Sequence, residues 1–484
     1  MRRRTEPGCG ALRRGRTPAR AAVALCTAVL GVSVALPARA ATVAMPGAAA
    51  PAPYAFDPGA RTVAGATGTA GAVRLDPGRT YRSSLPADGK RYYRLDLDAT
   101  ATAYVSATAV PGAGAAVSSS DGLKVSVQDA DGTLCSSGTT HVGPTQSPHP
   151  IAAWAARETG PGTYVCRRAG VYYVVVEQRD LSAPASGDWD LELDYVSEPA
   201  LRQPGRTVPP GAWNSAAPQP LAGDATRREG GAGFATASAL GQGVWQDAIR
   251  PGQTLFYKVP VDWGRQLSAT AELGGSTGGS GYVGTAMVMS LYNPVRAHVD
   301  DADAGYSGAR ASAALDPLPP VEYANRHAVG SRASGMRFAG WYYLAVHLGA
   351  PVADRFGQGP FTLTLRVRLS GTPASGPAYA GRPSPRDVFE VTAADRQEAE
   401  AGAEAGAEEG GGGGDRAVGT GGAVPRADGD GGGGSGSRSE GGGRDSRAMK
   451  LVAVGGIGTG SVLVLGLALW TLAARRHVRG GRAG

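Results

Sequence analysis

One eight-residue strand motif occurs twice in this chain. Gly170-Val171-Tyr172-Tyr173-Val174-Val175-Val176-Glu177 returns one domain length later as Gly340-Trp341-Tyr342-Tyr343-Leu344-Ala345-Val346-His347. A motif repeated at that distance marks a duplicated supersecondary unit, so the chain is constrained to fold as two related bodies. Each copy is followed by a second alternating segment, Gly187 to Tyr195 in the first and Pro360 to Val367 in the second. Apolar residues at every other position are the mark of a strand with one face turned inward.

Upstream of each motif the same order of short alternating runs appears. The first unit has Tyr92 to Leu97, Ala103 to Thr108 and Leu123 to Val127; the second has Phe256 to Val261, Leu267 to Ala271 and Met287 to Leu291. Turn residues open both, at Pro86-Ala87-Asp88-Gly89 and Pro251-Gly252. Short strands, evenly spaced turns and almost no helical period predict an all-β fold: two tandem jelly-roll-like antiparallel β-sandwiches, over 66–198 and 236–370. The Pro- and Gly-rich stretch 199–235 between them reads as a linker.

The formal charge of +7 suggests a nucleic-acid binder until its location is considered. Residues 1–40 hold eight arginines against Glu6, which equals the excess of the whole chain. The remainder is near neutral, so no basic groove for phosphates is expected and nucleic acid is excluded as a partner. That basic start, the uncharged apolar run Ala21 to Leu36 and the pattern Ala38-Arg39-Ala40 form a signal peptide, with cleavage between Ala40 and Ala41. Leu25 before Cys26 does not fit a lipid-anchor site, and Arg13-Arg14 leaves the general and the twin-arginine export routes both open.

A second apolar run, Leu451 to Ala474, carries 24 residues without a charge, enough to span a bilayer as a helix. Basic residues Arg475, Arg476 and Arg479 follow it and place the tail 475–484 on the cytoplasmic side. The chain therefore reads as a single-pass type I protein of the cell membrane with its N-terminal part outside. Gly456 and Gly460 supply a small-xxx-small pair through which two such helices could associate into an oligomer. Residues 41–65 read as a disordered leader, and 371–448, acidic from Asp387 to Glu409 and then Gly-rich, as a disordered stalk. A docking site for a cationic partner or Ca²⁺ is the alternative reading of the acidic stretch.

Chemistry-bearing residues are sparse. Cys135 and Cys166 alone remain after signal removal, and export permits them to oxidise to one disulfide. Because the second unit has no cysteine, that bridge is expected to pin a loop and not to define the fold. Gly274-Gly275-Ser276-Thr277-Gly278 matches a hydrolase nucleophile spacing but lies in a Gly-Ser loop with no helix after it. Asp300, Asp301 and Asp303 read as an exposed acidic turn, with an oxygen-rich Ca²⁺ site as the alternative. His141, His149, His298, His327 and His347 lack any metal-ligand spacing, and His347, like Glu177, is expected at an exposed strand position. The tryptophans read chiefly as core packing, with a sugar-stacking platform as the alternative. No catalytic, metal or cofactor residue is assigned.

Each unit resembles the bacterial pre-peptidase C-terminal domain. The residues carrying the resemblance are Arg91 to Leu97, Val125 to Gly132, Gly170 to Val176 and Gly187 to Leu193, then Leu255 to Val261, Met289 to Val295, Gly340 to Val346 and Gly359 to Leu365. The second copy departs at Asn293-Pro294-Val295, where the Asp-Gly turn of the pattern is missing. The resemblance implies non-catalytic β-sandwich accessories of exported proteins. Together these readings predict a surface protein that binds or scaffolds an envelope ligand, glycan or protein. An accessory subunit of a membrane or secretion complex is the alternative, and an exported hydrolase ranks below both. Mass-spectrometric N-terminal sequencing of the exported protein should begin at Ala41; an intact Met1 start would contradict the signal assignment.

Overall fold

The computed structural model describes residues 52–410, apart from 88, 113, 180–186 and 220, with only the backbone for 402–410. The expected cleavage site at Ala40 and Ala41, the span 451–474 and the Gly456/Gly460 pair all lie outside the described residues. Among those residues no helix is long and apolar enough to cross a membrane.

The first unit contains β1 (Arg61–Thr62), β2 (Val73–Arg74), β3 (Arg79–Leu85), β4 (Lys90–Leu97), β5 (Thr102–Val110), β6 (Gly122–Asp129), β7 (Leu134–His141), β8 (Ile151–Arg157), β9 (Gly170–Arg179) and β10 (Trp189–Glu198). The second repeats the series with β11 (Thr226–Arg227), β12 (Ser238–Ala239), β13 (Gly243–Ile249), β14 (Thr254–Val261), β15 (Gln266–Leu273), β16 (Val283–Tyr292), β17 (His298–Tyr306), β18 (Ala311–Ala314), β19 (Gly340–Leu348) and β20 (Phe361–Ser370). The sheets are ordered β2-β4-β9-β6-β7 and β1-β3-β10-β5-β8 in the first unit. In the second they run β12-β14-β19-β16-β17 and β11-β13-β20-β15-β18, the same two orders displaced by ten strands. Only the two-residue strands pair in parallel; every longer pairing is antiparallel. The fold is thus all-β, two sandwiches of two sheets each, and the duplication read from the sequence is present in the topology.

Each sandwich has its own core. Leu95, Val105, Val125, Val174, Trp189 and Leu193 are among the buried residues of the first, and Tyr257, Leu267, Met289, Leu344 and Leu365 among those of the second. Two further apolar clusters belong to neither. One joins Tyr104, Ala156 and Val196 of the first unit to Val295, Ala297, Phe338 and Phe389; the other joins Ala152 to Phe234, Phe256, Tyr292 and Ala345. These fill a seam in which the β1-β3-β10-β5-β8 sheet lies against the β12-β14-β19-β16-β17 sheet. Strands β5 and β8 are accordingly buried along nearly their whole length, whereas β15 and β4 alternate with solvent.

The two sheets at the seam are not equivalents, so the copies pack front to back. Equivalent strand positions then meet different surroundings. His347 pairs with Thr254 as Glu177 pairs with Lys90, yet His347 is buried, against the sequence expectation, while Glu177 sits in salt bridges to Lys90 and Arg179 at the surface.

Charge complementarity fixes this arrangement. Strand β10 turns Glu192, Asp194 and Glu198 away from its own core, and β20 has Thr364, Arg366 and Ser370 at the equivalent places. Three arginines of the second unit answer the acidic face. Arg296 Nη1 lies 2.6 Å from Glu192 Oε1, Arg326 Nη2 lies 2.8 Å from Glu198 Oε1, and Arg337 Nη1 lies 2.7 Å from Glu158 Oε1. Burial alone would lower the Arg296 pKa; Asp194 and Glu192 outweigh it and hold the guanidinium charged. Arg296 reaches Glu192 because Asn293 shapes the β16–β17 turn. Its Oδ1 accepts the Val295 and Ala297 amides, and Arg296 takes a positive φ of 57°. The Asn293-Pro294-Val295 turn, which lacks the Asp131-Gly132 turn of the first copy, is the place that supplies the seam with its central cation.

Segments read from the sequence as leader, linker and stalk complete the seam. Tyr54, in the leader 41–65, donates its hydroxyl to Glu192 and packs edge-on to Phe256. Phe234, in the linker 199–235, is buried against Tyr292 and Tyr343. Past β20 the chain turns back over the joint: Tyr379 donates to Glu198, and Phe389 stacks on Phe338 at 4.6 Å. The acidic run then forms a helix, Ala393–Gly410, instead of beginning a stalk. Thr392 and Asp395 cap it reciprocally, Trp341 donates to Asp395, Lys258 pairs with Glu398, and Ala399 is buried. Composition misleads here because a few aromatic residues in a Pro- and Ala-rich segment suffice when a groove awaits them. Residues 411–448 lie outside the described part.

A pair of histidines closes one side of the seam. His149 and His347 stack with ring centroids 4.4 Å apart and 23° between planes. His149 Nδ1 is 2.7 Å from the Ser147 carbonyl and so must carry the proton. His347 Nδ1 is 3.0 Å from Thr254 Oγ1, and its Nε2 has no partner. Burial holds both below the ordinary 6.5, and for His347 the neighbouring His149 adds to it.

Two expectations follow from this joint. Arg296→Met should cost about 3–5 kcal/mol in chemical denaturation because it strands a buried carboxylate, and Glu192→Leu with Arg296→Met should cost clearly less than the sum of the two single losses; additive losses would contradict the pairing. The unfolded chain takes up protons on His149 and His347 near pH 6.5 while the folded chain resists. Stability should therefore be flat above that pH and fall below it, by up to about 1.4 kcal/mol per pH unit for each histidine. Between pH 7.5 and 5.5 the Tm of the wild type should drop further than that of His347→Leu; parallel drops would contradict the assignment.

Candidate functional site

Where the seam reaches the β17 edge, the two sheets part and leave a cleft of about 510 Å³. Antiparallel register builds one wall: Val288, Ser290 and Tyr292 on β16 stand opposite Asp303, Asp301 and His298 on β17. The other wall is the end of β7 with Trp154 and Ala152 of β8. Gly138 allows β7 to press against β8, since a Cβ there would lie 2.3 Å from the Trp154 carbonyl oxygen. Each sandwich contributes one wall, so the cleft exists only while the joint is closed.

Its polar groups differ in how far they are satisfied. His298 Nε2 is 3.3 Å from Asp301 Oδ1, and this hydrogen bond, ahead of burial, lowers the Asp301 pKa and keeps it ionised. Asp303 is exposed and has no ion pair or side-chain hydrogen bond among the described residues. Tyr292, nearly enclosed, is pushed up to about 12 by burial and stays a neutral phenol at physiological pH. Trp154 is half-buried, tilted against Tyr104 at 6.1 Å with the Arg337 guanidinium 5.7 Å from its ring. Among the described residues no lysine or arginine lines the cleft, and Arg332, next to the lining Ser331, acts on Asp301 from outside it.

A second cleft of about 530 Å³ lies at the other end of the joint, among Thr102, Thr159, Tyr323, His327, Glu198 and Arg326. Its charges are already committed, because Glu198 accepts from Tyr104, Tyr379 and Arg326 together. We therefore take the Trp154–Asp303 cleft as the candidate site.

The residues singled out from the sequence fall in varied places. Cys135 and Cys166 form the disulfide, joining the start of β7 to the loop before β9. It closes a loop of 31 residues, which in the chain-entropy account contributes about 3–4 kcal/mol. Ser276 Oγ donates to the Gly278 carbonyl within its loop and is bonded to no histidine. The three aspartates lie on strand β17 and not on a turn. Alternation sends Asp300 to Arg332 and the Asp316 amide, apart from Asp301 and Asp303, and burial raises its pKa. Among the described residues no three His, Cys, Asp or Glu side chains converge as a metal site would require. Trp189, Trp245 and Trp263 are core residues, while Trp154 and Trp341 are half-buried. The grouping of Trp154 with Tyr292, His298, Asp301 and Asp303 escaped sequence reading because it draws on both copies; the exposed alternation of Asp301 and Asp303 beside His298 was its one local sign.

No family model matches the chain, and no curated protein matches it. Among solved structures, a Parabacteroides distasonis protein described as secreted overlaps 62% of this chain and 91% of its own at 10% identity and a TM-score of 0.16. The tandem CBM22 domains of Paenibacillus barcinonensis Xyn10C overlap 58% and 82% at 8% identity and a TM-score of 0.16. The extracellular domain of ANXUR2 from Arabidopsis thaliana overlaps 61% and 85% at 9% identity and a TM-score of 0.15. Overlaps this shallow carry no argument about ligand or activity.

Proposed function

We propose that this chain is an exported, membrane-tethered binding or scaffolding protein without catalytic activity, whose two jelly-roll-like sandwiches act as one rigid head. The signal peptide and the apolar run 451–474 support the tether, and the seam cleft supports binding. The observation that carries the reading is the cleft itself, which sets a half-buried indole of the first copy against hydroxyls and the Asp301 and Asp303 carboxylates of the second. An aromatic surface bordered by a few polar groups, in a volume of several hundred Å³, suits a polyhydroxylated envelope glycan. The exported-hydrolase reading loses support from Ser276, whose hydroxyl is engaged in its own loop.

The full-length protein in detergent should be retained on immobilised cell-wall sugars, and Trp154→Ala should abolish retention while leaving the circular dichroism unchanged. Retention that survives Trp154→Ala would remove the cleft from the reading. Recovery of one membrane protein in fixed proportion, with no retention on sugars, would favour the accessory-subunit alternative.

A further inference from the structure

We infer that the seam cleft takes an amino sugar, a polyol carrying a free ammonium group, in preference to neutral or anionic glycans. This rests on the cleft being a binding site, and it follows from the charge and shape of the walls. Asp301 and Asp303 project from the same side of β17, two residues apart, into a cleft that, among the described residues, no lysine or arginine lines. The register puts Asp301 opposite Ser290 and places His298 opposite Tyr292, so carboxylate, hydroxyl, imidazole and phenol stand in adjacent rows of one sheet face.

Asp303 is the open valence of this group. Asp301 is already paired with His298, and Asp300 with Arg332, whereas Asp303 has neither cation nor donor among the described residues. The Arg337 guanidinium near Trp154 is committed to Glu158 at 2.7 Å and does not compensate the cleft. A phosphate- or carboxylate-bearing ligand would enter against two carboxylates. An ammonium would be drawn to Asp303 and Asp301 and to the half-buried ring of Trp154, while ring hydroxyls meet Thr285 and Ser290. Pairing of the ammonium with Asp303 and its contact with the half-buried indole combine to about a tenfold preference.

The test is calorimetric titration of the full-length chain in detergent with three probes: a β-1,4-linked glucosamine trimer, its fully N-acetylated counterpart and a glycerol phosphate oligomer. The glucosamine trimer should bind about tenfold tighter than the acetylated trimer, lose affinity as salt is raised, and leave the phosphate oligomer unbound. Asp303→Asn, an exposed substitution that spares the fold, should erase the preference while retaining the weaker binding common to both trimers. Trp154→Ala should weaken both trimers together. Equal affinity for the two trimers, or a preference unchanged by Asp303→Asn, would overturn the charge inference and leave glycan binding standing. Failure of both trimers to bind would overturn the inference and the glycan reading alike.

Discussion

The contact between Glu192 and Arg296 governs how this molecule is put together. Both groups are withdrawn from water, and such a pair adds little net stability because desolvation consumes most of the attraction. Its effect is on choice. A buried carboxylate on β10 tolerates only placements of the second sandwich that bring a cation to it, and the Asn293 turn holds Arg296 where one placement succeeds. Glu198 with Arg326 repeats the condition, and Glu158 with Arg337 adds a third point at which the arginine is buried and the carboxylate half-exposed. Three such points determine position and rotation together, which apolar packing of Phe338, Phe256 and their neighbours would leave looser.

Much of the architecture was legible in the chain before any coordinates. Alternation and turn residues located β4, β5, β6, β9 and β10 and their counterparts β14, β15, β16, β19 and β20 but not β3, β7, β8, β13 or β17, and the repeated Gly-x-Tyr-Tyr motif identified the duplication that the strand orders display. The disulfide between Cys135 and Cys166 was likewise readable. What escaped was everything decided by the packing of one copy on the other. His347 and Glu177 occupy the same strand position, and no local pattern distinguishes the one that will be covered. The acidic alternation of β10 reads as an ordinary solvent face, and only the presence of Arg296, Arg326 and Arg337 elsewhere in the chain makes it an interior. Tyr379 and Phe389 were lost in a composition that resembles a linker, although each has a specific seat.

The candidate site inherits this dependence on the joint. Its aromatic wall comes from β8 and its carboxylate wall from β17, so its width is set by how the sandwiches meet and not by either fold alone. Residues of the leader, the linker and the strap after β20 all press on the same joint, giving a chain with long irregular stretches a rigid head. The Ala393–Gly410 helix fixes where the backbone leaves that head, beside β14 and Trp341.

Front-to-back stacking has a further consequence. Unlike a two-fold dimer, a heterologous contact uses up one face of each kind and leaves the complementary pair free at opposite ends, so that nothing in its geometry forbids endless growth. Here the free faces differ from the joined ones. The outward surface of β4 carries Arg94 and Asp96 where β14 has Lys258 and Pro260, and β20 presents Arg366 to Glu272 where β10 would offer the acidic stripe. A third sandwich would meet faces that differ from those joined at the seam at these positions. Divergence between the copies has thus made the two free faces unlike the two that are joined.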